Sequence, residues 1–127
     1  MKSITRLFIA LLFIAFGYCN PAYAKSGHSL KVTASAYNSV RSQTQGNPSI
    51  AAWGDHLKPG MKVIAVSRDL LRMGLKHNTR VKIVGLPGTY LVKDKMNKRW
   101  SRKIDIYMGR DIKAARRWGK RKVTIRW

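Results

Sequence analysis

The feature that most constrains this chain is that its apolar residues return with a period of two, in segments too short for ordinary helices. Leu30, Val32, Ala34 and Ala36 fall on one side of residues 30–37, with Lys31, Thr33, Ser35 and Tyr37 on the other. Ile104, Ile106 and Met108 alternate with Asp105 and Tyr107, and Val123, Ile125 and Trp127 end the chain in the same rhythm. This is strand periodicity. Apolar stretches at 63–66, 81–84 and 89–92 add three more strands, the last two flanking a hairpin turn at Gly85-Leu86-Pro87-Gly88. Residues 38–48 are rich in Ser, Gln, Asn and Gly and read as a long loop. Asp111 to Trp118 is the best helix: Asp111 sits where an N-cap acceptor belongs, Arg116 and Arg117 lie in the last turn, and Gly119 can close it. About six short strands and one or two short helices in roughly 100 residues predict a mainly β fold, a small six-stranded closed barrel.

The start of the chain has a different character. Lys2 and Arg6 precede an apolar run from Leu7 to Tyr18, Asn20 and Pro21 break it, and Ala22-Tyr23-Ala24 supplies a small-x-small cleavage pattern. The run is shorter than the roughly 20 apolar residues a spanning helix needs. Phe16-Gly17-Tyr18 fits poorly before a lipidated Cys19, so that cysteine is expected to leave with the leader, and with it all thiol chemistry. The expected organisation is a signal peptide over 1–24, a flexible lead over 25–29 and one barrel domain over 30–127. The expected location is outside the inner membrane, periplasmic or secreted and associated with the cell envelope.

Residues 25–127 hold 24 Lys and Arg against five Asp and no Glu, a net charge of +19 with His neutral. Such a surface attracts polyanions and speeds their encounter. Inside a cell, nucleic acid would come first. The chain carries no nucleic-acid motif beyond charge, and export moves the expectation to peptidoglycan glycan strands with their stem-peptide carboxylates, or to anionic envelope polymers or lipids. No nucleic-acid partner is expected, and the protein is expected to be a monomer.

His28, His56 and His77 lie far apart with no cysteine to join them, so no metal-ligand spacing exists. Neither a Gly-x-Ser-x-Gly elbow nor a phosphate-binding glycine loop is present, and no cofactor is expected. The carboxylates remain. Asp94 and Asp105 each fall at an apolar strand segment, although Asp is a poor strand former. Two readings stay open: both are ion-paired with Lys93, Lys95, Arg102 or Lys103 and merely offset charge, or they form a reacting pair. The six Lys and Arg between Lys93 and Lys103 read as a solvated loop that also meets anionic groups. Trp118 and Trp127 are expected in the core, whereas Trp53, beside a loop glycine, and Trp100, inside the basic run, are candidates to stack on sugar faces.

Several segments carry a family likeness. They are Thr33-Ala34-Ser35-Ala36-Tyr37-Asn38, Gln43-Thr44, Ala51-Ala52-Trp53-Gly54, Ala65-Val66-Ser67-Arg68 with Gly74, and Trp118-Gly119-Lys120-Arg121-Lys122-Val123. The most specific is Asp94 with, eleven residues on, Asp105 inside Ile104-Asp105-Ile106-Tyr107. Over residues 31–127 the chain resembles the 3D domain, named for three aspartates, and through it the double-psi β-barrels of membrane-bound lytic transglycosylase A, rare lipoprotein A and the expansins. The resemblance implies a six-stranded double-psi barrel that cleaves peptidoglycan glycan strands. It implies Asp105 as the acid/base, Asp94 as its supporting carboxylate, and Tyr37, Thr44 and Tyr107 as groove residues beside Trp53 and Trp100. The chain departs from the family at Ser67, where the first aspartate is expected, with Asp69 two residues later. Lys95-Met96-Asn97 replaces a Thr-Gly-Gly whose glycines let backbone approach a ligand closely, and Ala51 replaces a threonine.

Cleaving a β-1,4 glycosidic bond needs a proton at the leaving oxygen as an oxocarbenium-like centre develops. One carboxyl suffices if the sugar's own 6-hydroxyl attacks, giving an anhydro end without water; two at a suitable separation support hydrolysis. The acid must start protonated. Surrounding Lys and Arg oppose that, while burial or a second carboxylate favours it. The expected function is therefore that of a lytic transglycosylase or O-glycosyl hydrolase. The alternative is a non-catalytic basic module that holds peptidoglycan or another envelope polyanion.

Overall fold

The alternating segments pair into a single closed sheet. The computed structural model describes residues 27–40 and 47–127; the expected signal peptide and Thr44 lie outside the described residues. Strands β1 (Ser29–Tyr37), β2 (Val63–Val66), β3 (Arg80–Ile83), β4 (Tyr90–Lys95), β5 (Lys103–Tyr107) and β6 (Arg121–Arg126) close in the order β1-β5-β2-β4-β3-β6. Helix α1 (Arg68–Arg72) follows β2, and α2 (Ile112–Trp118) follows β5. β1 runs parallel to β5 and β2 parallel to β4, while the other four pairings are antiparallel. The expected mainly β, six-stranded barrel with two short helices is what forms, and closure joins the first and last strands of the sheet.

Alternation decides what enters the core. Val32, Ala34, Ile64, Val66, Val81, Ile83, Val92, Ile104, Ile106 and Ile125 point inward and are at most 2% exposed. The side chains between them point outward. There Val63 and Tyr107 join Ala51 and Leu57 in a second, smaller cluster, flanked by Tyr37, Met61 and Leu91. Residues 51–61 therefore cover part of the barrel's outer face.

The ends of the strands differ from expectation in detail. Of the residues expected in the lead, Ser29 opens β1 and His28 continues its pairing. The His28 N–H donates to the Trp127 carbonyl at 2.8 Å, the Trp127 N–H donates back at 3.1 Å, and the two rings stack with centroids 4.9 Å apart. Helix α1 has too few residues for its periodicity to register in the sequence; it buries Leu70. Helix α2 forms as expected: the Asp111 carboxylate accepts from the Ala114 N–H at 2.9 Å, and Gly119 ends it at φ +67°. Trp118 and Trp127 pack against the core while staying partly exposed, and Trp118 Nε1 donates to the Ala34 carbonyl at 3.0 Å, tying α2 to β1.

Removing one inward side chain tests this arrangement against removing a cap. Ile104→Ala should lower the unfolding free energy by about 2–5 kcal/mol through transfer and cavity terms. Asp111→Ala should cost only about 1 kcal/mol. Urea denaturation of the two variants beside wild type measures both.

Candidate active site

The two aspartates come together through strand register. In β5, Ile104 and Ile106 enter the core, so Asp105 between them faces outward. Asp105 pairs with Ser35 of β1 on one side and with Ala65 of β2 on the other. Ala65 in turn pairs with Asp94 of β4. Asp94, Ala65, Asp105 and Ser35 thus form one outward row across four strands. The two aspartate Cα atoms are two strand spacings, about 10 Å, apart, with the small Ala65 side chain between them.

The position of Asp94 depends on an irregularity. Val63 pairs with Leu91 and Ile64 with Val92, but Ala65 pairs with Asp94, leaving Lys93 as an extra residue in β4. In regular pairing Ala65 would oppose Lys93, and Asp94 would fall on the core side. Lys93 instead reaches the Asn78 side-chain oxygen at 2.6 Å and Asp55 at 3.5 Å.

Asp94, Asp105, Tyr37, Ala65, Lys95, Met96, Asn97 and Trp100 line a groove of about 220 Å³. Asp105 Oδ1 accepts a hydrogen bond from Ser35 Oγ. Asp94 Oδ1 accepts from the Ala52 N–H at 2.8 Å and the Lys95 N–H at 2.9 Å. The Ala52 donor belongs to a turn closed by Gly54 N–H on the Ala51 carbonyl at 2.9 Å, in which Gly54 adopts φ +90°. Among the described residues, the ion pairs within 4.0 Å both fall on Asp55, from His77 at 2.5 Å and Lys93 at 3.5 Å. The reading that Asp94 and Asp105 are neutralised by the adjoining cations is therefore not how they sit.

The groove favours the neutral form of Asp94. Burial pushes the Asp94 carboxyl above its ordinary pKa and the nearby Asp105 adds to the shift, against the Ala52 and Lys95 N–H groups and the Lys95 charge. Burial also pushes the Tyr37 phenol well above its ordinary value, reinforced by Asp94 and then Asp105. The Tyr37 hydroxyl is buried and has no hydrogen-bond partner among the described residues.

The other expected groove residues divide. Trp100 lines the groove, with the Lys103 ammonium 3.7 Å and the Arg99 guanidinium 4.8 Å from its ring centre. Trp53 is 37% exposed, packs on His77 with centroids 4.7 Å apart and lies 5.8 Å from the Lys95 ammonium, beside the groove rather than in its lining. Tyr107 is buried and outside the lining; its ring supports Tyr37 at 5.5 Å and its hydroxyl meets Ser39 Oγ at 2.8 Å. Ser67 is fully buried and accepts the Lys103 N–H at 3.0 Å, while Asp69 accepts the Arg102 N–H at 2.9 Å. These two fasten the start of α1 to β5 and do not enter the groove.

Sequence reasoning missed Ser35 and Ala65 as site residues. Alternation placed Ser35 on the Tyr37 side of its strand, but its partner lies 70 residues away on a parallel strand. Among the described residues, no three His, Cys, Asp or Glu side chains gather as a metal site, and no helix is long and apolar enough to cross a membrane. Compared with protein-family models and with curated proteins, the chain matches none.

The raised Asp94 pKa carries a stability consequence of definite sign. A carboxyl whose folded pKa exceeds its unfolded value of about 3.9 has no effect on stability below that value, and destabilises as pH rises through the folded pKa. Asp94→Asn retains an oxygen for the Ala52 and Lys95 N–H groups but loses the disfavoured charge. Its Tm should exceed that of wild type at pH 7 and match it at pH 3. Thermal melts at the two pH values decide this.

Proposed function

We propose that this protein is an exported enzyme that cleaves peptidoglycan glycan strands, as a lytic transglycosylase or O-glycosyl hydrolase. The observation that carries the reading is the outward row in which Asp94 and Asp105 flank Ala65 in one groove, neither in an ion pair among the described residues. The likeness to the 3D domain supports it, since the closed six-stranded barrel is the fold that likeness implies and Asp94 and Asp105 are its most specific residues. The +19 charge of residues 25–127 suits a substrate bearing stem-peptide carboxylates.

The chemistry follows from the pair. Asp94, half-buried and in the same row as Asp105, holds a proton to higher pH than an ordinary carboxyl, which keeps a proton in the groove. Asp105 acts as the acid/base: it delivers a proton to the glycosidic oxygen as the C1–O bond breaks, then accepts one from the attacking hydroxyl. If the attacker is the sugar's own 6-hydroxyl, the product has an anhydro end; if it is water, a reducing end. Ser35, hydrogen-bonded to Asp105 Oδ1, fixes the carboxylate's orientation.

A second reading, a basic module that binds the wall without cleaving it, has its own support. Lys95, Met96 and Asn97 stand in the groove wall where the resembled family has Thr-Gly-Gly, and Met96 is only 7% exposed. The resulting 220 Å³ falls below the roughly 300 Å³ at which small-molecule sites ordinarily begin.

Mass spectrometry of purified sacculi incubated with the protein separates these readings. Soluble muropeptides are expected, with Asp105→Asn slower by at least about 100-fold. Release by wild type no greater than by Asp105→Asn, together with salt-sensitive pelleting that Asp105→Asn leaves unchanged, would establish the binding module instead.

A further inference from the structure

The hydroxyl of Tyr37 is the least explained polar group beside the carboxylates. It is buried and, among the described residues, unpartnered, and buried hydroxyls are almost always hydrogen-bonded. Tyr37 is the last residue of β1, its carbonyl accepts the Met108 N–H at 2.9 Å, and its ring lies against that of Tyr107 at 5.5 Å. Tyr107 is itself held through its hydroxyl by Ser39. Asp94 and Asp105 both act on Tyr37 electrostatically, yet neither accepts from it. Asp105 Oδ1 is occupied by Ser35, and Asp94 Oδ1 by two backbone N–H groups.

We propose that Tyr37 Oη donates a hydrogen bond to a hydroxyl of the bound glycan, which in turn donates to one of the two carboxylates. The proposal rests on the glycan reading above and deepens it. A sugar hydroxyl has the needed chemistry, because it accepts and donates at once and so bridges a donor and an acceptor that do not meet. A carboxylate or phosphate ligand fits worse, since it would sit against Asp94 and Asp105 with nothing to donate. Burial and the two acids keep the phenol in its O–H form, so Tyr37 serves as a donor and not as a base.

Tyr37→Phe tests this with three readouts on the purified protein: Tm, titration with a soluble β-1,4-linked N-acetylglucosamine tetramer, and muropeptide release from sacculi. Tm should be unchanged or higher, because a hydroxyl without a protein partner is removed. Tetramer affinity should fall about tenfold, the worth of one hydrogen bond, and release should slow by about 100-fold. A lowered Tm would overturn the proposal by showing that the hydroxyl serves the fold. Unchanged affinity and release would overturn it too, as expected if ordered water alone meets the hydroxyl, and so would a wild type that does not bind the tetramer. If wild type binds the tetramer, Tyr37→Phe weakens that binding, and no fragment is ever released, the Tyr37 contact stands and the cleavage reading falls.

Discussion

The groove depends on one slip in strand pairing, the extra residue that β4 carries between Val92 and Asp94 against β2. Before the slip, the strand delivers Tyr90 and Val92 to the core by simple alternation. After it, the phase reverses, and Asp94 joins Ala65 and Asp105 on the outer face. A carboxylate left on the inner side would stand among Ile64, Ile106 and Val92, all at most 2% exposed, where an unpaired charge is very costly. The same slip turns Lys93 away towards Asp55 and Asn78.

That redirection is part of why, among the described residues, Asp94 and Asp105 form no ion pair in so basic a chain. The cations nearest to them in sequence are engaged elsewhere: Lys93 with Asn78 and Asp55, Lys103 and Arg99 over Trp100, and Lys95 towards Trp53. The backbone supplies Asp94 with its hydrogen bonds instead, one of them from the turn at Ala52. Segment 47–62 therefore does two jobs. It covers the outer apolar cluster with Ala51 and Leu57, and it holds the acid in place.

Much of this could be read from residues alone, and particular residues show where reading stops. Ile104-Asp105-Ile106 announces an outward acid between two inward side chains, because alternation is a property of the strand itself. The Asp111 cap and Gly119 end of α2 are equally local. Ser35 and Ala65 could not be assigned to the site, because their partners are set by parallel and antiparallel pairing across distant segments. Tyr107 looked like a groove residue from its place in the motif, yet it is buried beside Tyr37, since Ala51 and Leu57 pack with it over that part of the face.

The amino-acid sequence by itself determined the strands, the inward faces, the cap of α2 and the strongly basic surface, all of which follow from residue type and short spacing. Only the tertiary structure decided that Asp94 and Asp105 share a row and that, among the described residues, neither is ion-paired and the Tyr37 hydroxyl has no partner. Those depend on the register and the bulge, and register is a relation between strands. It is chosen by how all six strands close around one core, so no single segment encodes it.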